Sequence, residues 1–488
     1  MLKCPEIFCL VALAALCAPP PAVAAIPPPM ASALRDAGVP ESAVSLYVRE
    51  VGGAEPFISH RASTAMNPAS TMKIVTTLVG LDVLTPAYAW QTTFSSNARL
   101  SAGVLHGALY VKGSGDPKFV TDHLQAAIKG LRERGVREIA GDLIIDRSRF
   151  APITHDANAF DGLPRRPYNV GPDALLFNFK TVGFRLSPQT DGSVRVMTDG
   201  PAPDGLSIDN RLRSTTGACP TDWRSRTQPT FDDRGNAVTA TFSGVYATDC
   251  GDRDWYVSLF DHSGLFAGMF ARLWRDAGGV WQGQVKSGGV PRNARVLYTH
   301  TSAPLATMVT DINKFSNNVM ARQLLLTIDA ELSKRPGQAR RAAKSVREWA
   351  GARGFDLPEL VIENGSGLSR NERISARSLA GLLEYGLTAP FASDFLSSLP
   401  LAATDGTLAK RFVNQAAEGN AWLKTGTLTG VKALAGYLLL PDGRKMLYVA
   451  IVNHANAEAA QRALDAGVDW VYQTQAQTAR PASTLPAR

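Results

Sequence analysis

The chain has 488 residues, of which 45% are apolar and 19% charged, and its formal net charge is +8. That length exceeds one ordinary domain and accommodates two or three, and the balance is globular, which excludes a fibre or disorder on a large scale. The basic residues are interleaved with acids and never form a run of five, so no nucleic-acid footprint is expected and anionic cell-wall material is the partner class the charge favours.

Residues 1–24 read as a signal peptide. Lys3 gives a basic start, and Ile7 to Cys17 is an apolar run too short to span a bilayer. Pro19-Pro20-Pro21 breaks the run, and Ala22-Val23-Ala24 is a small-residue exit. Cys17 follows Leu16, a poor fit to lipoprotein processing, and no later stretch reaches the length of a transmembrane span. The mature protein is therefore expected in the periplasm. Cys4, Cys9 and Cys17 leave with the leader, and the remaining pair, Cys219 and Cys250, is expected to oxidise to a structural disulfide.

After the leader, Met30 to Ala37 is expected as a helix closed by Gly38 and Pro40. Ser42 to Val48 alternates like a strand, and a second short strand is expected around Pro56 to Ser59. Asn67-Pro68 opens a helix, with Asn as cap and Pro in the first turn. Ala69 to Leu84 is apolar nearly all round and should be buried. From about Trp90 to Val290 come short β-type runs between Gly, Pro and Asp clusters, with Leu124 to Arg134 the one clear helical stretch. Helical periodicity returns from Pro304 through Leu324, at Ala339 to Ala350 and at Ser378 to Tyr385. Ala433 to Leu440 and Lys445 to Val452 form a hairpin across Pro441-Asp-Gly-Arg444, and a helix from about Glu458 to Tyr472 follows. Residues 474–488 lack an apolar pattern and are expected to be a disordered tail. The layout is an α/β catalytic unit in two segments, 25–89 and 291–473. A β-rich insertion at 90–290 splits it, in one or two subdomains, the second holding both cysteines.

Three short motifs carry chemistry. In Ser70-Thr-Met-Lys73, the i,i+3 spacing on a buried helix places both side chains on one face. A serine hydroxyl is a weak nucleophile until a base takes its proton, and a desolvated lysine amine can do so. Lys424-Thr-Gly-Thr427 precedes the hairpin. There Gly426 permits close approach to the backbone, and Lys424 with the hydroxyls of Thr425 and Thr427 can hold a carboxylate. Ser316-Asn-Asn318 lies between two apolar helical stretches, as a polar corner able to project two side chains into a cleft; Ser95-Ser-Asn97 and Ser369-Arg-Asn371 match the same loose pattern. Neither His-Glu-x-x-His nor Cys-x-x-Cys occurs, so no metal or other cofactor is expected. The histidines offer no local Ser-His-Asp arrangement, and His454 is expected to serve packing or surface.

Ser-x-x-Lys, Ser-x-Asn and Lys-Thr-Gly in this order resemble the signature of penicillin-recognising serine enzymes. The long gap between Ser70 and Ser316 resembles the class C D-alanyl-D-alanine carboxypeptidases, the penicillin-binding protein 4 type. Leu109 to Pro117, Tyr168 to Ala174, Glu363 to Ser369 and Asp405 to Leu408 are similar to that family as well. The resemblance implies a transpeptidase fold shared with serine β-lactamases, an antiparallel sheet flanked by helices. It implies hydrolysis of D-alanyl bonds in peptidoglycan stem peptides, and of crosslinks, through a Ser70 acyl-enzyme, with covalent capture of β-lactam antibiotics. Lys73 would be the base, and Ser316 would pass a proton to the leaving amine. Asn318 would hold the substrate amide, Lys424 would keep the site positive, and Thr425 and Thr427 would bind the terminal carboxylate. The backbone N–H groups of Ser70 and Thr427 would form the oxyanion hole. Two alternatives stay open: a serine β-lactamase, for which Glu363 would have to activate water, and an inactive wall-binding protein.

Overall fold

A computed structural model describes residues 25–478; the expected leader and the last ten residues of the expected tail lie outside the described residues. The catalytic segments build one antiparallel sheet in the order Ile58–His60, Val44–Glu50, Lys445–Asn453, Val431–Leu439, Ala421–Leu428. Strand Lys445–Asn453 is apolar along its length because both its faces are covered. Leu447, Val449 and Ile451 enter one core and Met446, Tyr448, Ala450 and Val452 the other, the alternation that a pleated strand imposes. The first core contains helices Met72–Leu84, Leu305–Lys314, Asn318–Ser333, Ala339–Ala352, Ala376–Thr388 and Ala392–Ser398; the second contains Pro28–Asp36 and Gln461–Gln477. The sheet is thus buried between two helical layers.

Helix Met72–Leu84 is buried on nearly every side, as its composition requires, but the expected helix start at Ala69 is a 3₁₀ turn, Ala69–Thr71. The C-terminal helix runs through Gln477 and so overturns part of the disordered tail expected from Thr474. Gln475 is buried there, and its carbonyl accepts from Arg444 Nη2 at 2.9 Å. Apolar pattern was the wrong signal for a segment anchored by a polar contact.

Residues 91–301 carry the other sheets. The largest runs Val285–Ser287, Leu143–Asp146, Leu109–Gly113, Gln91–Ser96, Arg295–Thr301. Because Arg295–Thr301 pairs with Gln91–Ser96, the chain leaves this sheet near residue 302 and not at 291. The region also has a second long helix, His262–Asp276, where only one was expected. Asp261 caps it by accepting from the Gly264 N–H at 2.6 Å, and Leu265, Phe266, Met269, Phe270, Leu273 and Trp274 form its buried face. The helical spacing of these apolar residues is the signal that the β-rich reading of 90–290 passed over. Cys219 and Cys250 are joined as a disulfide.

Candidate active site

Ser70 stands on a tight elbow at the mouth of the buried helix. Asn67 Oδ1 accepts the Ala69 N–H at 2.9 Å, while its Nδ2 donates to the Ser369 carbonyl at 2.9 Å. Ala69 is held at φ +46°, a left-handed conformation that an alanine adopts only under constraint. The constraint comes from both sides. Edge strand Ala421–Leu428 lies so close that a Cβ at Gly426 would sit 2.6 Å from the Pro68 carbonyl oxygen. A Cβ at Gly367 would meet the Ala69 oxygen at 1.9 Å.

One helical turn on, Lys73 is fully buried. Its Nζ lies 3.0 Å from Ser70 Oγ, 2.6 Å from Asn318 Oδ1 and 2.5 Å from the Ser366 carbonyl oxygen. Burial pushes the amine well below its ordinary range, helped by the charges of Lys424 and Arg322 and opposed by Glu372. A neutral amine has two N–H donors and one lone pair. Asn318 and Ser366 supply two acceptors, which leaves the lone pair for the Ser70 hydroxyl.

The second group of expected residues meets beside the first. Helix Leu305–Lys314 ends, Ser316 turns through φ +55°, and Asn317 caps helix Asn318–Ser333 by accepting from the Met320 N–H at 3.1 Å. That corner points Asn318 at Lys73. Lys424 Nζ donates to Ser316 Oγ at 2.9 Å and to the Thr425 carbonyl at 3.0 Å, and its burial lowers it to about 7. Thr425 Oγ1 bonds Thr407 Oγ1 at 3.0 Å, and Lys432 Nζ donates to Thr427 Oγ1 at 3.3 Å. A cavity of about 710 Å³ opens beside Ser316 and Asn318, bordered by Tyr168, Phe179, Tyr256 and Phe315. Cys219 and Cys250 stand apart, in the insertion core.

Three of the four other quoted stretches reach this region, while Leu109–Gly113 belongs to the largest sheet of the insertion. Asn318 Nδ2 donates to the Tyr168 carbonyl at 3.4 Å, and Lys314 Nζ pairs with Asp405 at 2.5 Å. The loop 363–369 supplies the Ser366 carbonyl. Glu363 Oε2 accepts from Ser369 Oγ at 2.5 Å and its Oε1 from Asn371 Nδ2 at 2.7 Å. His454 accepts the Asn456 N–H at 3.1 Å within its own turn. Two buried charges that act on Lys73 went unnoticed in the sequence, Arg322 and Glu372. Burial lowers Arg322 to about 10 and raises Glu372. Arg322 at the second turn of an apolar helix was a visible signal; Glu372 in a polar loop gave none.

Among the described residues no helix is long and apolar enough to cross a membrane. The model of the D-Ala-D-Ala carboxypeptidase 3 (S13) family matches residues 29–474. A D-alanyl-D-alanine carboxypeptidase of Actinomadura sp. is 29% identical over 439 residues, spanning 87% of this chain and 80% of that relative. D-alanyl-D-alanine carboxypeptidase DacB of Haemophilus influenzae is 23% identical over 436 residues, spanning 84% of this chain and 85% of its own. The crystal structure of penicillin binding protein 4 from Haemophilus influenzae, 21% identical, matches with a TM-score of 0.76 over 92% of this chain and 99% of that one. The antiparallel sheet between helical layers is therefore the penicillin-binding-protein fold expected from the motifs.

Proposed function

The chain belongs to the D-Ala-D-Ala carboxypeptidase 3 (S13) family, and on that premise we propose that Ser70 is its nucleophile and Lys73 the base that activates it. The enzyme is a serine-type D-Ala-D-Ala carboxypeptidase. In the proposed course, Ser70 Oγ attacks the carbonyl of the penultimate D-alanine as its proton passes to the neutral Lys73 amine. General-base help of this kind contributes roughly 10² to 10⁴ in rate. Ser316, hydrogen-bonded to Lys424, delivers a proton to the departing amine, and Asn318 holds the substrate amide. Thr425 and Thr427 take the terminal carboxylate in the field of Lys424. The Ser70 and Thr427 N–H groups stabilise the oxyanion, where one lost donor typically costs on the order of 10² to 10³ in rate. Water then releases the acyl group.

The observation that carries this reading is the environment of Lys73 Nζ, with two acceptors at 2.6 and 2.5 Å and Ser70 Oγ at 3.0 Å. A crosslink presents the same acyl half to Ser70, so endopeptidase action belongs to the proposal. So does action in the periplasm after loss of the leader, which suits the Cys219–Cys250 disulfide because such bonds persist outside the reducing cytoplasm. The β-lactamase alternative is disfavoured by the match to the carboxypeptidase family over residues 29–474.

The test is intact mass after mixing with benzylpenicillin, beside Ser70→Ala. A lasting one-to-one adduct on the wild type and none on the variant is the expected result. Rapid drug turnover without an adduct would favour a β-lactamase, and no reaction would favour a wall-binding protein.

A further inference from the structure

Glu372 is fully buried, yet it lies outside all three motifs. Its Oε1 accepts three successive backbone N–H groups, from Glu363 at 3.0 Å, Asn364 at 3.0 Å and Gly365 at 3.1 Å. Its other oxygen, Oε2, is buried without a hydrogen-bond partner. The turn it grips is the one whose Gly365 carbonyl accepts from Thr76 Oγ1 at 2.7 Å and whose Ser366 carbonyl meets Lys73. Gly367 of the same turn abuts the Ala69–Ser70 backbone. A small displacement here would move both the base and the elbow beneath the nucleophile.

Charge gives Glu372 a second part. Lys73, Lys424 and Arg322 come from a helix start, an edge strand and a second helix, and all three are buried. Glu372 attracts the Lys73 ammonium and the Arg322 guanidinium. Burial of a like-charged group without any counter-charge would be costly.

We infer that Glu372 is a positioning residue of the active site: through the turn it grips it aims the Ser366 carbonyl at Lys73, and its carboxylate is the counter-charge to the buried Lys73 and Arg322. The inference rests on Lys73 acting as the base. Glu372 does not touch substrate; it acts through the turn and through the amine.

The two parts separate by substitution. Glu372→Gln keeps an oxygen for the three N–H groups and removes the charge. Glu372→Asp keeps the charge and withdraws the oxygens by one methylene. The measurement is the second-order rate of Ser70 acylation by a fluorescent penicillin from pH 5 to 9. Without the carboxylate Lys73 releases its proton more easily, so Glu372→Gln should move the acidic midpoint down by about half a pH unit or more with its plateau rate retained. Glu372→Asp should keep the midpoint and lose on the order of tenfold to a hundredfold in plateau rate. An unmoved midpoint in Glu372→Gln overturns the electrostatic part, and a wild-type plateau in Glu372→Asp overturns the positioning part. A Glu372→Gln chain that does not fold also overturns the inference, because the amide oxygen offers the same acceptor. Lys73→Met tells the two readings apart: acylation at the wild-type rate there would remove the base assignment itself, whatever the Glu372 variants do.

Discussion

Lys424 is a buried amine whose proton is held only weakly, because the fold removes it from water and gives it neutral hydroxyl and carbonyl partners. Its folded value of about 7 lies below the ordinary 10.5. Between those values the unfolded chain binds a proton that the folded chain does not, so the group adds stability as pH rises through that window and removes it as pH falls. Wild type should therefore gain stability relative to Lys424→Met between pH 7 and pH 9, read by urea denaturation at both; a constant difference would contradict the burial of the charge. At this scale the sequence was highly legible where a motif fixes both residue type and order, as at Ser70, Lys73, Ser316 and Lys424. It placed Ser366 in a family-like stretch but gave it no role, because its contribution is a backbone carbonyl that any residue type could supply.

Two loops are held by constraints of different kinds. The first is the turn 363–369, which meets the Ser70 elbow with no room to spare. Gly367 sits at φ +80°, and a Cβ there would fall 1.9 Å from the Ala69 oxygen and 2.7 Å from the Ser70 nitrogen. Gly367→Ala should therefore cost more than about 1 kcal/mol from conformation alone, and the clash should abolish penicillin acylation, checked by adduct mass on folded protein. The second is the loop closed by Cys219 and Cys250, 31 residues apart. Replacing both with serine should lower stability by about 2–4 kcal/mol on the chain-entropy model. Acylation at 25 °C should stay within about twofold of wild type, because the disulfide lies outside the catalytic motifs. Sequence pattern located both elements and gave neither its environment: the family-like stretch from Glu363 could as well have been a surface turn until the Ser70 elbow was seen against it.

At the scale of the molecule, polar contacts tie the insertion to the catalytic unit. Lys118 Nζ pairs with Asp311 at 2.6 Å, on the helix that leads to Ser316. Arg322 Nη1 donates to the Val170 carbonyl at 2.5 Å. Gln323, fully buried, accepts the Asp173 N–H at 2.9 Å and donates to the Asp173 carbonyl at 2.8 Å. Gln323→Leu leaves the buried Asp173 N–H unpaired, at about 1–3 kcal/mol, while the Asp173 carbonyl keeps the Leu176 N–H at 3.2 Å. The expected result is a loss of about 1–3 kcal/mol in urea denaturation, and an unchanged midpoint would mean that water or a neighbour replaces the amide.

The sequence by itself determined the family, the order of its three short motifs, the hairpin strand from Lys445 and the pairing of Cys219 with Cys250. Each of these is written in local order, periodicity or residue count, which a linear reading recovers. Only the tertiary structure decided that Arg295–Thr301 belongs with Gln91–Ser96, that His262–Asp276 is a helix and that the last helix reaches Gln477. It also decided that Glu372 lies against the turn that meets Lys73. Those outcomes depend on partners far away along the chain. Burial and hydrogen bonding, rather than local pattern, fix them.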